Sequence, residues 1–127
     1  MKTETIERYL DECGITPGPF ERVHVSNDVE KVCYFSNKHE GLIEVAMFRG
    51  EGRIKNADAF SASREMLKAL IGQTMRIIKH SREYSDPRLD PCWSFVEENI
   101  PIIESALPGR TWPEIKTRLE EIEEEEK

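Results

Sequence analysis

The sequence predicts a single α+β domain: an N-terminal helix, a three-stranded antiparallel β-meander, a long central helix packed with a kinked antiparallel helix, and a short acidic C-terminal helix. Apolar residues recur at helical spacing near the start of the chain and again from residue 56 onward. Between residues 20 and 49 they alternate with polar residues, and turn residues divide that run into three parts. A length of 127 residues fits one domain, here taken as 1–127.

The first half of the chain contains one helix and the meander. The helix is predicted within residues 1–15, and two prolines make residues 16–19 a rigid linker. The meander covers residues 20–49, with turns at Asn27-Asp28 and at 37–41. Its three strands are predicted at 20–26, 30–36 and 41–49.

The central helix is predicted to start at Asn56 and to continue to about Tyr84, along a stripe that includes Phe60. Gly72 lies in its middle, and glycine weakens a helix by about 1 kcal/mol relative to alanine. It marks either a break or a place where another helix crosses closely. The next helix is predicted to have Asp90 as its N-cap, followed by Pro91 at the first helical position.

The helical part, predicted at 56–127, closes with a kinked helix and an acidic one. Pro101 is expected to kink the third helix because it removes a backbone donor. The stretch from Thr111 to Glu114 has the spacing of a capping box and starts the last helix. Its end, residues 123–127, is expected to be a frayed and solvated tail.

Catalytic and metal-binding motifs are missing from the sequence. The three cysteines are far apart, which favours reduced and buried thiols, and the three histidines are equally scattered. We therefore expect no metal and no cofactor. No nucleophile elbow, phosphate-binding Walker loop or zinc-hydrolase motif is present, so we expect no enzyme. A hydrolase built from remote paired carboxylates stays open.

Charge and hydropathy restrict the partners. No apolar run approaches the roughly 20 residues of a membrane-spanning helix, and the N-terminus lacks a signal peptide. We expect a soluble protein in the cytoplasm without a membrane partner. A net charge of −7 argues against nucleic-acid binding. A three-stranded sheet under one helical layer leaves apolar surface to cover, which predicts a homo-oligomer.

The charge is distributed unevenly. Residues 49–82 contain eight basic and three acidic residues, whereas residues 114–127 contain seven acidic and three basic ones. The basic segment begins with a Gly-x-Gly loop ahead of a helix, where backbone amides and the helix N-terminus can approach a phosphate. A flexible turn with exposed basic side chains is the plainer interpretation.

The candidate ligand-binding residues are drawn mainly from this segment. Phe60 is expected either in the core or stacked on a base, and Trp112 either holds the last helix or makes an exposed contact with a base or a protein. The predicted set is Arg49, Gly50, Gly52, Arg53, Lys55, Asn56, Phe60, Arg64 and Trp112.

One stretch carries a resemblance to small accessory proteins of tailed phages and prophages. The shared pattern is an Asn-Ala helix start after a short meander, an apolar residue one turn later, a Leu-x-Ala-Leu close, a second helix and a final motif like Ala-Leu/Ile-x-x-Ala. The chain departs from the pattern at Ser63-Arg64, where the phage proteins tend to have Ala-Pro. The matching residues are Asn56-Ala57, Phe60, Ala62-Ser63, Met66-Leu67, Ala69-Leu70 and Ile103 to Leu107.

The resemblance implies an antagonist of host defence that acts in the host cytoplasm. Some such phage proteins sequester a nucleotide-derived immune signal, and the basic loop suits that role. Others, including anti-CRISPR proteins, bind a host defence protein, for which residues 114–126 and Trp112 would supply the surface. An uncharacterised phosphodiesterase is the third alternative.

Overall fold

The computed structural model describes residues 1–15, 20–36 and 41–127, and over these residues it confirms the α+β fold with its N-terminal helix and β-meander. The predicted linker at 16–19 and most of the second hairpin turn, at 37–40, lie outside the described residues. The helices are α1 (Thr3–Glu12), α2 (Arg53–Ser61), α3 (Ser63–Ser81), α4 (Trp93–Ala106) and α5 (Trp112–Glu125), and the strands are β1 (Glu21–Ser26), β2 (Val29–Ser36) and β3 (Gly41–Arg49).

The chain divides into two compact units, although its length predicts one domain. The sheet unit is Thr16–Glu65, and the helical unit combines Met1–Ile15 with Met66–Lys127. Each unit has its own buried residues and is described by itself. None of the described helices is long and apolar enough to cross a membrane.

The sheet unit is an antiparallel meander covered by α2. Its strands follow the order β1-β2-β3, and Asn27-Asp28 forms the first turn as predicted. The Phe60 ring of α2 lies 6.0 Å from the Phe20 ring and 5.6 Å from the Phe48 ring, measured between centroids. Val32 and Ala57 are fully buried. Aromatic and aliphatic side chains therefore join α2 to the sheet.

A buried carboxylate lies within this small unit. Glu30 is fully buried on β2, where its Oε1 is 2.7 Å from His24 Nδ1 and its Oε2 accepts a hydrogen bond from Arg22 Nη1 at 3.3 Å. These two hydrogen bonds lower the pKa of Glu30, and the one with His24 has the larger effect. Burial acts in the opposite direction and raises this pKa. Arg22 also donates to Asp58 Oδ1 at 2.8 Å and so ties β1 to α2.

The helical unit has a continuous apolar core drawn from α1, α3, α4 and α5. α3 passes through Gly72 without a break, and a Cβ placed on Gly72 would lie 3.5 Å from Ile6 Cδ1. Of the two alternatives for this glycine, the break is therefore wrong, and the Ile6 side chain of α1 packs beside it at an ordinary van der Waals distance. The core residues include Ile6, Leu10, Ile71, Met75, Val96, Ile103, Leu107, Ile115, Leu119 and Ile122.

The single central helix predicted from Asn56 to about Tyr84 is wrong. α2 begins earlier, at Arg53, and ends at Ser61, where the Ala62 N–H donates to the Ala59 and Asp58 carbonyls. The Ser61 hydroxyl donates to the Ala57 carbonyl at 2.8 Å. Serine side chains that bond backbone carbonyls compete with the helix ladder, which favours a break here. α3 then ends at Ser81.

The predicted N-cap of α4 is also wrong. Asp90 precedes the helix without capping it, because α4 begins at Trp93 after a short 3-10 turn at Pro87–Leu89. Asp90 Oδ1 instead accepts the Cys92 N–H at 2.9 Å. Pro101 lies within α4, which continues to Ala106.

The last helix differs from its prediction at both ends. At its start Thr111 makes no side-chain capping bond within the described chain, and the Trp112 N–H donates instead to Glu104 Oε2 of α4 at 2.9 Å. At its end the expected frayed tail is helical to Glu125, because Ile122 is fully buried and Glu126 Oε2 accepts the Thr5 hydroxyl at 2.7 Å. Partners on other helices decide both ends.

Candidate functional site

The loop between β3 and α2 has a backbone conformation that favours glycine. Gly50 has a φ of +88°, in the left-handed region that favours glycine. The turn closes when the Arg53 N–H donates to the Gly50 carbonyl at 3.2 Å. Gly52 has a φ of −88° and is the N-cap of α2. The two glycines thus turn the chain directly from strand into helix.

The N-terminus of α2 is open to an external acceptor. The first N–H groups of any helix have no partner one turn earlier, and the helix dipole places partial positive charge on them. Gly52 has no side chain with which to cap them, and the first turn carries Ile54 and Lys55 in place of an acidic residue. An anion at this end would therefore meet no carboxylate from the first turn.

Three cationic residues lie within three positions of the N-cap of this helix in the sequence. Arg53 Nη1 donates to the Gly50 carbonyl at 3.1 Å, and Arg53 Nε is buried without a hydrogen-bond partner among the described residues. Arg49 is exposed, with Nη2 3.3 Å from Met47 Sδ, and Lys55 is exposed. The accessible cations of the loop are therefore Arg49 and Lys55, with the half-buried guanidinium of Arg53 beside them.

Asn56 adds an amide to the same place. Its Nδ2 lies 3.2 Å from the position that a Cβ on Gly52 would occupy. The absent Cβ of Gly52 is what lets this side chain fold back toward the helix start. The predicted site residues that converge on the loop are Arg49, Gly50, Gly52, Arg53, Lys55 and Asn56.

Three predicted site residues have other surroundings. Phe60 is partly buried between Phe20 and Phe48, so its ring packs the sheet unit and is not offered to a base. Arg64 is buried, at 4% relative exposure. Trp112 belongs to the core of the helical unit at 8% exposure, and the expectation of an exposed contact is wrong for it.

Fewer cations lie near the glycine loop than the basic segment at residues 49–82 suggests. Lys68 Nζ pairs with Glu7 Oε1 at 2.6 Å, and Arg82 Nη2 lies 3.7 Å from Glu120 Oε1. These cations belong to the helical unit and are matched by its carboxylates. What is left near the glycines is Arg49, Arg53 and Lys55, opposed by the loop's own Glu51.

The acidic end of the chain is largely used within the helical unit. Arg118 donates to Glu12 Oε1 at 2.6 Å, to Glu121 Oε2 at 3.2 Å and to Glu125 Oε1 at 3.3 Å. The hydrogen bond with Glu12 is the largest cause of a raised pKa for Arg118. Because these carboxylates are already paired, fewer of them remain for the partner surface that the inhibitor alternative requires.

A second polar cluster escaped the sequence reasoning. His80 at the end of α3 lies 3.0 Å from Asp90, and the exposed thiol of Cys92 is nearby in sequence. The pattern gave no signal, since the pairing depends on the non-periodic loop between α3 and α4. The expectation of buried cysteines holds for Cys33 and is wrong for Cys92. Across the described residues, no group of three or more His, Cys, Asp or Glu side chains could hold a metal ion.

Comparison with known proteins identifies no matching family model, no matching curated protein and no matching solved structure. The resemblance to phage accessory proteins therefore stays a prediction.

Proposed function

We propose that this chain binds a phosphate-bearing, nucleotide-derived small molecule at the β3–α2 loop and holds it without converting it. One observation carries the proposal: α2 starts on an exposed glycine N-cap with no acidic residue in its first turn, and Arg49, Arg53 and Lys55 lie within three positions of that glycine. Helix N-termini next to arginine are favourable sites for phosphate oxygens.

The donor set suits a ligand with more than one phosphate. Backbone N–H groups at the helix start, the Asn56 amide and the Arg53 guanidinium can each donate to a different oxygen, and Arg49 and Lys55 add charge at the edge. Phe60 and Trp112 pack inside the protein and are not available to stack on a base. The proposed site therefore contacts the phosphates of the ligand and does not distinguish its base. We therefore expect weak discrimination between bases.

The same residues explain why the ligand would be held intact. The six that converge on the loop comprise two arginines, one lysine, one asparagine and two glycines, and none is a Ser, Thr, Cys or His nucleophile. In a phage-infected cell, sequestering a nucleotide signal in the host cytoplasm would silence the defence that responds to it. The proposed role is therefore counter-defence by sequestration.

Thermal unfolding with cyclic dinucleotides and ADP-ribose tests the proposal. A bound ligand at 100-fold excess over its Kd should add about 2.7 kcal/mol to the free energy of unfolding. Lys55→Gln should weaken the shift, whereas Lys79→Gln, which removes an exposed helical lysine from the helical unit, should leave it unchanged. The absence of a shift with every ligand, or equal losses in the two variants, would overturn the proposal.

Recovery of the ligand separates sequestration from a phosphodiesterase. The complex is denatured and the released small molecule is identified by chromatography and mass spectrometry. Sequestration predicts that the added nucleotide returns unchanged after prolonged incubation. If a hydrolysed product accumulates with wild-type protein, the protein is a phosphodiesterase and the sequestration proposal is wrong.

A further inference from the structure

β3 is an edge strand whose outer side pairs with no other strand among the described residues. The sheet order is β1-β2-β3, so β3 is hydrogen-bonded to β2 on one side only. Its outward backbone N–H and C=O groups are therefore available to a further strand. Edge strands that resist such pairing commonly carry proline or lysine, and β3 contains neither.

A bulge in β3 determines which of its side chains share a face of the sheet. Ala46 is opposite Val32 and Glu44 is opposite Cys33, which leaves Val45 as the extra residue. Because of that extra residue, Glu44 is on the same face as residues 47 and 49. The exposed side chains of the strand all belong to this face, and they are Leu42, Glu44, Met47 and Arg49.

This exposed face of β3 is partly apolar and carries charges of both signs. Leu42 is 58% exposed and Met47 is 41% exposed. Lys31 of β2 lies opposite Met47, and its Nζ pairs with Glu44 Oε2 at 2.9 Å across the same face. Arg49 Nη2 lies 3.3 Å from Met47 Sδ, and its guanidinium pairs with none of the described carboxylates. Arg49 can therefore take a carboxylate from outside the chain.

We propose that β3 pairs antiparallel with β3 of a second copy of this chain, about a two-fold axis at Met47, to form a continuous six-stranded sheet. When the extra residue of the bulge is left out, Arg49 and Glu44 are equally far from Met47 along the strand. The axis therefore places Arg49 opposite Glu44 of the partner subunit, and it does so twice. It also places residues of one face opposite residues of the same face, as antiparallel pairing requires.

The positions of the charges favour a second copy in this register. The two pairs between Arg49 and Glu44 of the partner subunit match opposite charges on both sides of the axis. A slip of two residues in either direction would separate these charges and place Arg49 opposite Leu42 or Met47 of the partner subunit. The pairing thus gives a surface to the homo-oligomer that the sequence predicts, and it does not depend on the proposed phosphate site.

Charge reversal in the full chain, without nucleotide, tests the pairing through the molar mass in light scattering and sedimentation. Wild type should reach twice the 14.7 kDa of one chain as its concentration rises. Arg49→Glu and Glu44→Lys each place like charges opposite one another twice, so either should raise the dissociation constant of the dimer by about tenfold or more. Glu21→Lys makes the same charge change at an exposed residue of β1 and should leave the dimer unchanged.

Mixing the two charge-reversed variants separates pairing from misfolding. A chain with Glu44→Lys and a chain with Arg49→Glu again place opposite charges together at both positions, so the mixture should form a heterodimer although each variant alone dimerises poorly. Misfolded variants would not be rescued in this way. A single-chain mass for wild type at every concentration, a dimer that survives both reversals, or a mixture no more dimeric than its components would overturn the proposal.

Discussion

Two glycines separated by one residue have different purposes in the β3–α2 loop. Gly50 is required by its backbone, because a φ of +88° costs other residues about 1–2 kcal/mol. Gly52 has an ordinary φ and is required by its neighbour, since the Asn56 amide nitrogen lies 3.2 Å from where a Cβ would be. Gly50 therefore permits the turn, and Gly52 leaves room for the Asn56 side chain at the start of the helix.

Alanine at each glycine should separate stability from binding. Gly50→Ala should lower the free energy of unfolding by about 1–2 kcal/mol. Gly52→Ala should cost about 0.5–1 kcal/mol, because alanine is a poorer N-cap than glycine, and should weaken nucleotide binding by displacing the Asn56 side chain. Urea denaturation and ligand titration of both variants measure these effects. A Gly52→Ala protein with unchanged affinity would remove Asn56 from the site.

The His80–Asp90 pair makes stability depend on pH. Its hydrogen bond raises the pKa of His80 and lowers that of Asp90. The contribution of His80 is complete below its ordinary pKa of about 6.5 and disappears as the pH rises through the raised value, while that of Asp90 is lost only at strongly acidic pH. Wild type should therefore exceed His80→Gln in stability by more at pH 5.5 than at pH 9. Equal differences in denaturation at the two pH values would contradict this pairing.

Among the helices, α3 has a glycine where the packing leaves room for a methyl group. A Cβ on Gly72 would be at 3.5 Å from Ile6 Cδ1, which is ordinary van der Waals contact. Gly72→Ala should therefore fit and should raise the free energy of unfolding by up to about 1 kcal/mol through helix propensity. Gly72→Leu should lower it by about 1–3 kcal/mol through overpacking. Destabilisation by alanine, measured in urea, would mean that α1 and α3 pack more tightly than described.

The strands were predictable where the helix ends were not. Alternation and turn residues depend on neighbours in sequence, and β2 and β3 lie within a residue of their predicted starts. The Glu104 bond to Trp112 and the contact of Asp90 with His80 join residues eight and ten positions apart, which the local pattern does not show. The break at Ala62 is local, but the apolar spacing continues across it. For the site, the glycine loop was visible in the sequence. The burial of Arg64 and Trp112 was not, because it follows from tertiary packing.

The net charge of −7 is carried mostly by the helical unit. That unit has 17 acidic and 11 basic residues, whereas the sheet unit has 8 acidic and 7 basic ones. Many of the carboxylates in the helical unit pair with its own arginines and lysines. A loop on the nearly neutral sheet unit is consequently a better place for an anionic ligand than the overall charge indicates.

The most direct test of the proposed function is an NMR titration of the ¹⁵N-labelled protein with ADP-ribose and with cyclic dinucleotides. Binding at the β3–α2 loop predicts that amide shifts concentrate on Gly50, Gly52 and the first turn of α2, and that the shifts are similar for different bases. The buried amides around Ile103 and Leu119 should stay unchanged. Shifts confined to the helical unit, or none with any of these ligands, would contradict it.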